Sequence, residues 1–279
     1  MDYLELDIKV SPVAPWSEIL ISQLAEFGFD SFTESTDGLK AYGSAAEISL
    51  DNTIASTYLG NCPDNVSIEF VANTVPEQNW NATWEADFEP VFVEDLVAIL
   101  APFHNREGIE SLVVEIQPKM SFGTGHHQTT FLMSKSLFDL DLKNKRVLDV
   151  GSGTGVLAII AHKLGAKEVV GTDIEDGAVE NAIENQQRNG ISDIQFLLGD
   201  IDVVEESEYD LVLANINKNV LKSHMSTYAK LCKKNGSLFL SGFFSSDLEE
   251  LTAVCAANGF EKEEALEKEG WAVLKLKKQ

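Results

Sequence analysis

From residue 146 onward the chain alternates short apolar runs with longer stretches of helical period. Five-residue apolar cores recur at Arg146–Val150, Glu168–Thr172, Ile194–Leu198, Asp210–Ala214 and Ser237–Ser241. They are rich in Val, Leu and Ile and too short for helices, the pattern of strands buried on both faces. Helical stretches near 155–165, 176–189, 217–234 and 246–258 separate them, and two last β-like segments, Phe260–Leu266 and Trp271–Leu276, meet around Gly270. Five βα units and a terminal hairpin predict a mostly parallel, seven-stranded α/β sheet. Its connections should be right-handed and any ligand should lie at the carboxyl ends of the strands.

The first quarter has a different rhythm. Tyr3–Val10 alternates polar and apolar residues, and a helix is expected from Pro15 to Phe27, with Gly28 ending it. Ser31–Thr36 and Leu39–Gly43 flank Asp37-Gly38, a tight-hairpin signal. A helix over Glu47–Leu59 and a strand over Val66–Val75 follow. Strand, helix, strand, strand, helix, strand predicts a small ferredoxin-like α+β unit. It carries no clustered His or Cys, so it is expected to bind and not to catalyse. Between the two regions Trp80, Trp84 and Phe88 repeat every four residues, one side of a helical turn, ahead of strand-like pieces at Val91–Val93, Leu96–Leu100 and Leu112–Ile116. The domain reading is therefore 1–76 for binding, 77–118 as an ordered aromatic-rich connector, and 119–279 for the α/β domain.

Charge narrows the partners. The chain of 279 residues has a formal net charge of −24 and three arginines. That disfavours direct contact with nucleic acid and would steer a basic protein substrate. No apolar run reaches membrane length, the first residues lack the features of a signal peptide, and the three cysteines share no metal-type spacing. A cytoplasmic protein without a membrane segment is expected, with a monomer as the default.

The chemistry concentrates in Arg146-Val-Leu-Asp-Val-Gly-Ser-Gly-Thr-Gly155 followed by Glu168-Val-Val-Gly-Thr-Asp173. A strand ending in alternate glycines lets a ligand approach the backbone, and the next strand ends in an acid placed for a ribose. Val156 occupies the place of the third glycine in a dinucleotide fingerprint, and no Gly-Lys-Ser/Thr follows for a phosphate. Asp149, Gly151, Gly153 and Asp173 resemble the S-adenosylmethionine site of class I methyltransferases, a Rossmann-like fold whose ligand has no phosphate. Two more glycines and several hydroxyls in Met120–Thr130, with Phe122, Gly123 and Thr124, form a loop expected over the cofactor's methionine end. His126-His127 reads as one loop-fixing and one solvent-facing residue, with no metal expected. Asn215 ends the fourth core strand, where this fold faces the transferred methyl group. It lacks the Pro-Pro-aromatic platform used for planar nitrogens, so an sp³ amine fits better.

The loop F-G-T-G-x-H-x-T-T, the V-L-D-V-G-S-G-T-G core, the D-L-V-L-A-N strand end and the W-x(3)-W-x(3)-F stripe together resemble the ribosomal protein L11 methyltransferase family over essentially the whole chain. The resemblance implies transfer of methyl groups from S-adenosylmethionine to lysine ε-amines and the N-terminal α-amine of that basic ribosomal protein. It also implies a substrate-recognition role for the N-terminal unit. Carried over by motif, cofactor contacts fall on Thr130, Gly151, Asp173 and Asn215, with Asn215 at the reacting centre. The chain departs from the family pattern at His126 and Gln128 in the loop, and at Asn217-Lys218 after the asparagine. A class I methyltransferase acting on another protein or a small molecule is the alternative reading.

Overall fold

The computed structural model describes residues 2–75, 88–119, 123–205 and 208–279. The chain divides into two compact units, Met1–Asp87 and Phe88–Gln279. No described helix is long and apolar enough to cross a membrane.

The first unit runs β1 (Tyr3–Ser11), α1 (Trp16–Glu26), β2 (Phe29–Ser35), β3 (Gly38–Ser44), α2 (Leu50–Ser56) and β4 (Ser67–Val75). Its sheet has the order β2-β3-β1-β4 with every neighbour antiparallel. The alternation along β1 puts Leu4, Leu6, Ile8 and Val10 on one face, where they bury with Leu20, Leu24, Phe29 and Leu39. The hairpin differs from expectation by one residue. Ser35 pairs with Gly38, so Thr36-Asp37 is the turn. Gly38 begins β3 and is glycine because a Cβ there would strike the Ile8 carbonyl of the adjacent strand.

The second unit opens with β5 (Val91–Val93), β6 (Val97–Leu100) and β7 (Leu112–Glu115), a three-stranded sheet. Val93, Val97, Ile99 and Val114 bury in one cluster with Leu132, Met133, Val147 and Leu157. Of the 77–118 stretch read as an ordered connector, residues 88–118 fall in the second unit. Their apolar side chains find a core only against the α/β layer. Trp80 and Trp84 lie outside the described residues. Phe88, the last of the stripe, packs edge-on against His126 (4.6 Å) and Phe103 (6.0 Å).

The α/β layer follows with α3 (Gln128–Leu137), β8 (Arg146–Val150), α4 (Val156–Lys163), β9 (Glu168–Asp173), α5 (Asp176–Arg188), β10 (Gln195–Leu198), β11 (Tyr209–Asn215), α6 (Lys218–Ser223), α7 (Met225–Leu231), β12 (Cys232–Phe244), α8 (Leu248–Ala257), β13 (Phe260–Lys268) and β14 (Trp271–Lys278). The seven-stranded order is β10-β9-β8-β11-β12-β14-β13, parallel except where β14 meets β12 and β13. Consecutive buried residues on β8 serve opposite faces: Val147 joins one apolar cluster, Leu148 and Val150 the other. Strand order reverses between β8 and β11, which opens a crevice at their carboxyl ends. Two elements differ from the sequence reading. The single helix expected over 217–234 is two short helices meeting at His224, and β12 starts at Cys232. Between β10 and β11, where no helical stretch was expected, the described residues include a 3-10 turn, Ile201–Val203.

Candidate active site

The crevice holds a cavity of about 540 Å³, in the range of small-molecule sites. Asp173, Glu175 and Asp200 are on its wall, and no Lys or Arg among the described residues lines it. The three carboxylates favour a cationic ligand.

The glycine loop forms the floor. Gly151 (φ +71°) cannot carry a side chain, because its Cβ would run into the Ile216 Cγ2 methyl. The Gly151 and Ser152 N–H groups donate to the Thr172 carbonyl at 2.8 and 2.9 Å. Gly153 N–H donates to Asp173 Oδ2 at 2.8 Å, and Glu175 N–H donates to Oδ1 at 3.1 Å. The acid at the end of β9 therefore holds the loop's shape while its remaining lone pairs face the cavity.

Asp149 plays another part. It is 1% exposed and does not line the cavity. Its Oδ2 accepts the Ala158 N–H at 3.2 Å, capping α4, whose N-cap Gly155 has no side chain to do so. Burial pushes this carboxyl up to about 7, the Ala158 N–H opposing the rise and the Asp173 charge adding to it. Folding then takes up a proton, so the group's contribution to stability is fully present below about pH 4 and is lost as pH climbs through about 7. Asp149→Asn keeps an acceptor for Ala158 without the charge. It is expected to exceed the parent in stability at pH 8 by about 1–3 kcal/mol and to match it near pH 4. Urea unfolding at both pH values measures this, and an equal difference at both would contradict it.

Opposite the loop, β11 delivers Asn215 to the cavity wall, with its Oδ1 buried and without a hydrogen-bond partner among the described residues. A buried, unsatisfied acceptor at the edge of a cavity awaits a donor from a ligand. Ile216, the next residue, is wedged between Gly151 and Gly242, where a Cβ would collide with the Ile216 backbone. Two glycines from two strand ends thus fix the segment that carries Asn215.

Aromatic groups close the remaining side. Trp271 at the start of β14 lines the cavity, with the Phe244 ring at 4.3 Å and the His127 ring edge-on at 4.6 Å. His127 caps α3: its Nδ1 accepts the Thr129 N–H at 3.2 Å, and burial lowers its pKa. Its unprotonated Nδ1 faces the backbone and its other edge faces the wall. His126, expected at the solvent or as a loop anchor, is exposed yet placed with Nε2 2.8 Å from the Glu89 carbonyl oxygen. Both histidines fix structure.

Of the residues expected around a cofactor, Gly151, Gly153, Asp173 and Asn215 meet on one cavity. Thr130 is buried on α3 with its hydroxyl unpartnered among the described residues, off the lining. Gly123 and Thr124 are also off the lining; the Gly123 carbonyl accepts the Thr154 hydroxyl at 2.7 Å, which ties the segment ahead of α3 to the glycine loop. Phe122 lies outside the described residues. Asp200, Trp271, Gly242 and His127 were not anticipated as wall residues. Only Asp200 had a readable signal, since Leu198-Gly199-Asp200 repeats the strand-end acid already seen at Asp149 and Asp173.

A family model described as "Ribosomal protein L11 methyltransferase (PrmA)" matches residues 30–279. A ribosomal protein L11 methyltransferase of Porphyromonas gingivalis is 39% identical over 265 residues, covering 93% of this chain and 90% of its own. One of Bacteroides thetaiotaomicron is 34% identical over 279 residues, with 99% of each chain covered. A crystal structure of the ribosomal protein L11 methylase from Lactobacillus delbrueckii subsp. bulgaricus aligns with a TM-score of 0.64 at 29% identity, over 69% of this chain and 100% of that one. A methyltransferase from Pyrococcus furiosus, 14% identical with a TM-score of 0.51, shares the fold. With the family model matching residues 30–279 and relatives matched along nearly its full length, this chain belongs to the ribosomal protein L11 methyltransferase (PrmA) family.

Proposed function

We propose that the protein transfers methyl groups from S-adenosylmethionine to ribosomal protein L11, on lysine ε-amines and the N-terminal α-amine. The observation that supports this reading most is the joining of Gly151, Gly153, Asp173 and the unpartnered Asn215 oxygen around one acidic cavity. The cofactor suits that wall. Its sulfonium and ammonium outweigh its single carboxylate, it has no phosphate to demand a lysine, and its ribose offers two donors to Asp173.

When bound, the cofactor supplies an activated methyl on sulfur; the chain's residues supply alignment. The reaction is an in-line displacement, and orientation of the two reactants is its main requirement. The Asn215 carbonyl oxygen takes a hydrogen bond from an N–H of the amine or of the cofactor, and being an amide it removes no proton. A lysine with a reference pKa of about 10.4 must arrive neutral. The aromatic side of the cavity favours the neutral amine by excluding water. The acidic N-terminal unit holds the basic substrate, and the cofactor cavity lies entirely in residues 127–271 of the second unit.

Asn215→Ala removes the one acceptor placed at this wall on β11. Turnover is expected to fall about 10- to 100-fold, with cofactor affinity changing less; single-turnover methyl transfer by a folded variant at the parent rate would remove Asn215 from the reacting centre. The reading as a whole is tested with methyl-labelled cofactor and both purified L11 and ribosomes lacking the modification, followed by mass spectrometry. Label on L11 amines is expected. Label on another protein, or on none, would overturn it.

A further inference from the structure

The acidic wall has a link to the catalytic strand end that the transfer reaction alone does not require. Asp200 follows β10 and lines the cavity. Its Oδ1 accepts the Ile201 N–H at 2.7 Å, and its Oδ2 lies 3.2 Å from Nε2 of His224. His224 stands at the joint of α6 and α7. Its N–H donates to the Val220 carbonyl at 3.1 Å, and its own carbonyl accepts the Thr227 and Tyr228 N–H groups, each at 2.9 Å.

The imidazole is 15% exposed and lies edge-on to the fully buried Tyr228 ring at 6.1 Å. Its Nδ1 is buried with no hydrogen-bond partner among the described residues. A buried N–H without an acceptor is costlier than a bare nitrogen lone pair, so in the neutral ring the proton sits on Nε2, the nitrogen beside Asp200.

The segment from Asn215 to His224 runs along the cavity. Asn215, Ile216, Asn217 and Val220 all line it. Ile216 is fixed at one end between Gly151 and Gly242, and the His224–Asp200 pair fixes the other. We propose that His224 is a positioning residue for the cofactor: it holds the Asp200 carboxylate toward the cavity and ties that wall to the helix following the catalytic strand end. The inference rests on the S-adenosylmethionine reading of the site. Asp200 is 48% exposed on its side chain. Unrestrained, it would sample rotamers pointing into solvent, and the cofactor would have to order it on binding. A contact this accessible contributes little to folding stability, so its effect should register in binding.

The test is a double-mutant cycle on the full chain, with S-adenosylmethionine affinity read by calorimetry and folding by thermal melts. His224→Ala is expected to weaken binding about fivefold, and His224→Gln, whose amide still donates, to stay within about twofold. In an Asp200→Asn background, His224→Ala should add nothing further. Additive effects, an unchanged Kd in His224→Ala, or a glutamine variant as weak as alanine would overturn the proposal. If the alanine variant melts early, His224→Leu keeps the packing on Tyr228 and takes its place in the cycle. A parent protein that binds no S-adenosylmethionine would instead sink the functional reading.

Discussion

Gly151→Ala is expected to weaken S-adenosylmethionine binding more than 100-fold and to stop methyl transfer while leaving a folded protein. Two costs combine. The residue sits at φ +71°, where a Cβ costs about 1–2 kcal/mol. The added methyl also enters the space of Ile216 Cγ2, on a residue whose backbone packs closely against Gly242. Relief requires either the glycine loop or the Asn215-Ile216 segment to move, and both are cavity walls. Gly155→Ala is the matched control. It has a similar φ of +78°, but its Cβ would meet Phe196 and Ala182 at 2.9 and 3.1 Å, beneath the loop and off the cavity. It should lower the melting temperature with a much smaller loss of affinity. Calorimetry and melts on both variants distinguish the two, and near-normal binding by Gly151→Ala would contradict the role given to this turn.

Removing residues 1–87 is expected to reduce transfer to intact L11 more than 100-fold and to leave cofactor affinity within about twofold. The second unit has its own two apolar clusters flanking the seven-stranded sheet, and every cavity residue lies within it. The truncated chain loses the surface proposed to hold L11, and transfer then depends on unassisted encounter. Cutting at 87 and not later keeps Phe88 against His126 and His104. Loss of cofactor binding in a folded truncation would make the N-terminal unit structural instead.

The parts of the site that could be read in the sequence are those in which a short run determines its own geometry. Arg146–Val150 is a strand because its apolar residues are continuous, and Gly151 and Asp173 lie at strand ends that periodicity locates to within a residue. Asp149 lies in the same run, yet its destination depends on α4: the carboxylate serves the Ala158 N–H because Gly155 offers no cap. Trp271, Gly242 and His127 come from three distant segments, and only sheet order brings them to one wall. The joint at His224 was hidden for a related reason. Local propensity favours one helix across 217–234, and neither the joint at His224 nor the start of β12 at Cys232 is marked by a local signal. Residues 88–118 looked like a connector because three short strands have no core of their own until the α/β layer covers them.

The central claim is that this acidic cavity, with no lysine among its described lining residues, recognises a sulfonium nucleoside. The most direct measurement is calorimetric titration of the full-length protein with S-adenosylmethionine, its demethylated product, a nicotinamide dinucleotide and a nucleoside triphosphate. Saturable 1:1 binding of the first two and no heat from the phosphate-bearing pair is the predicted result. Tight binding of the dinucleotide or the triphosphate, with none of S-adenosylmethionine, would contradict it.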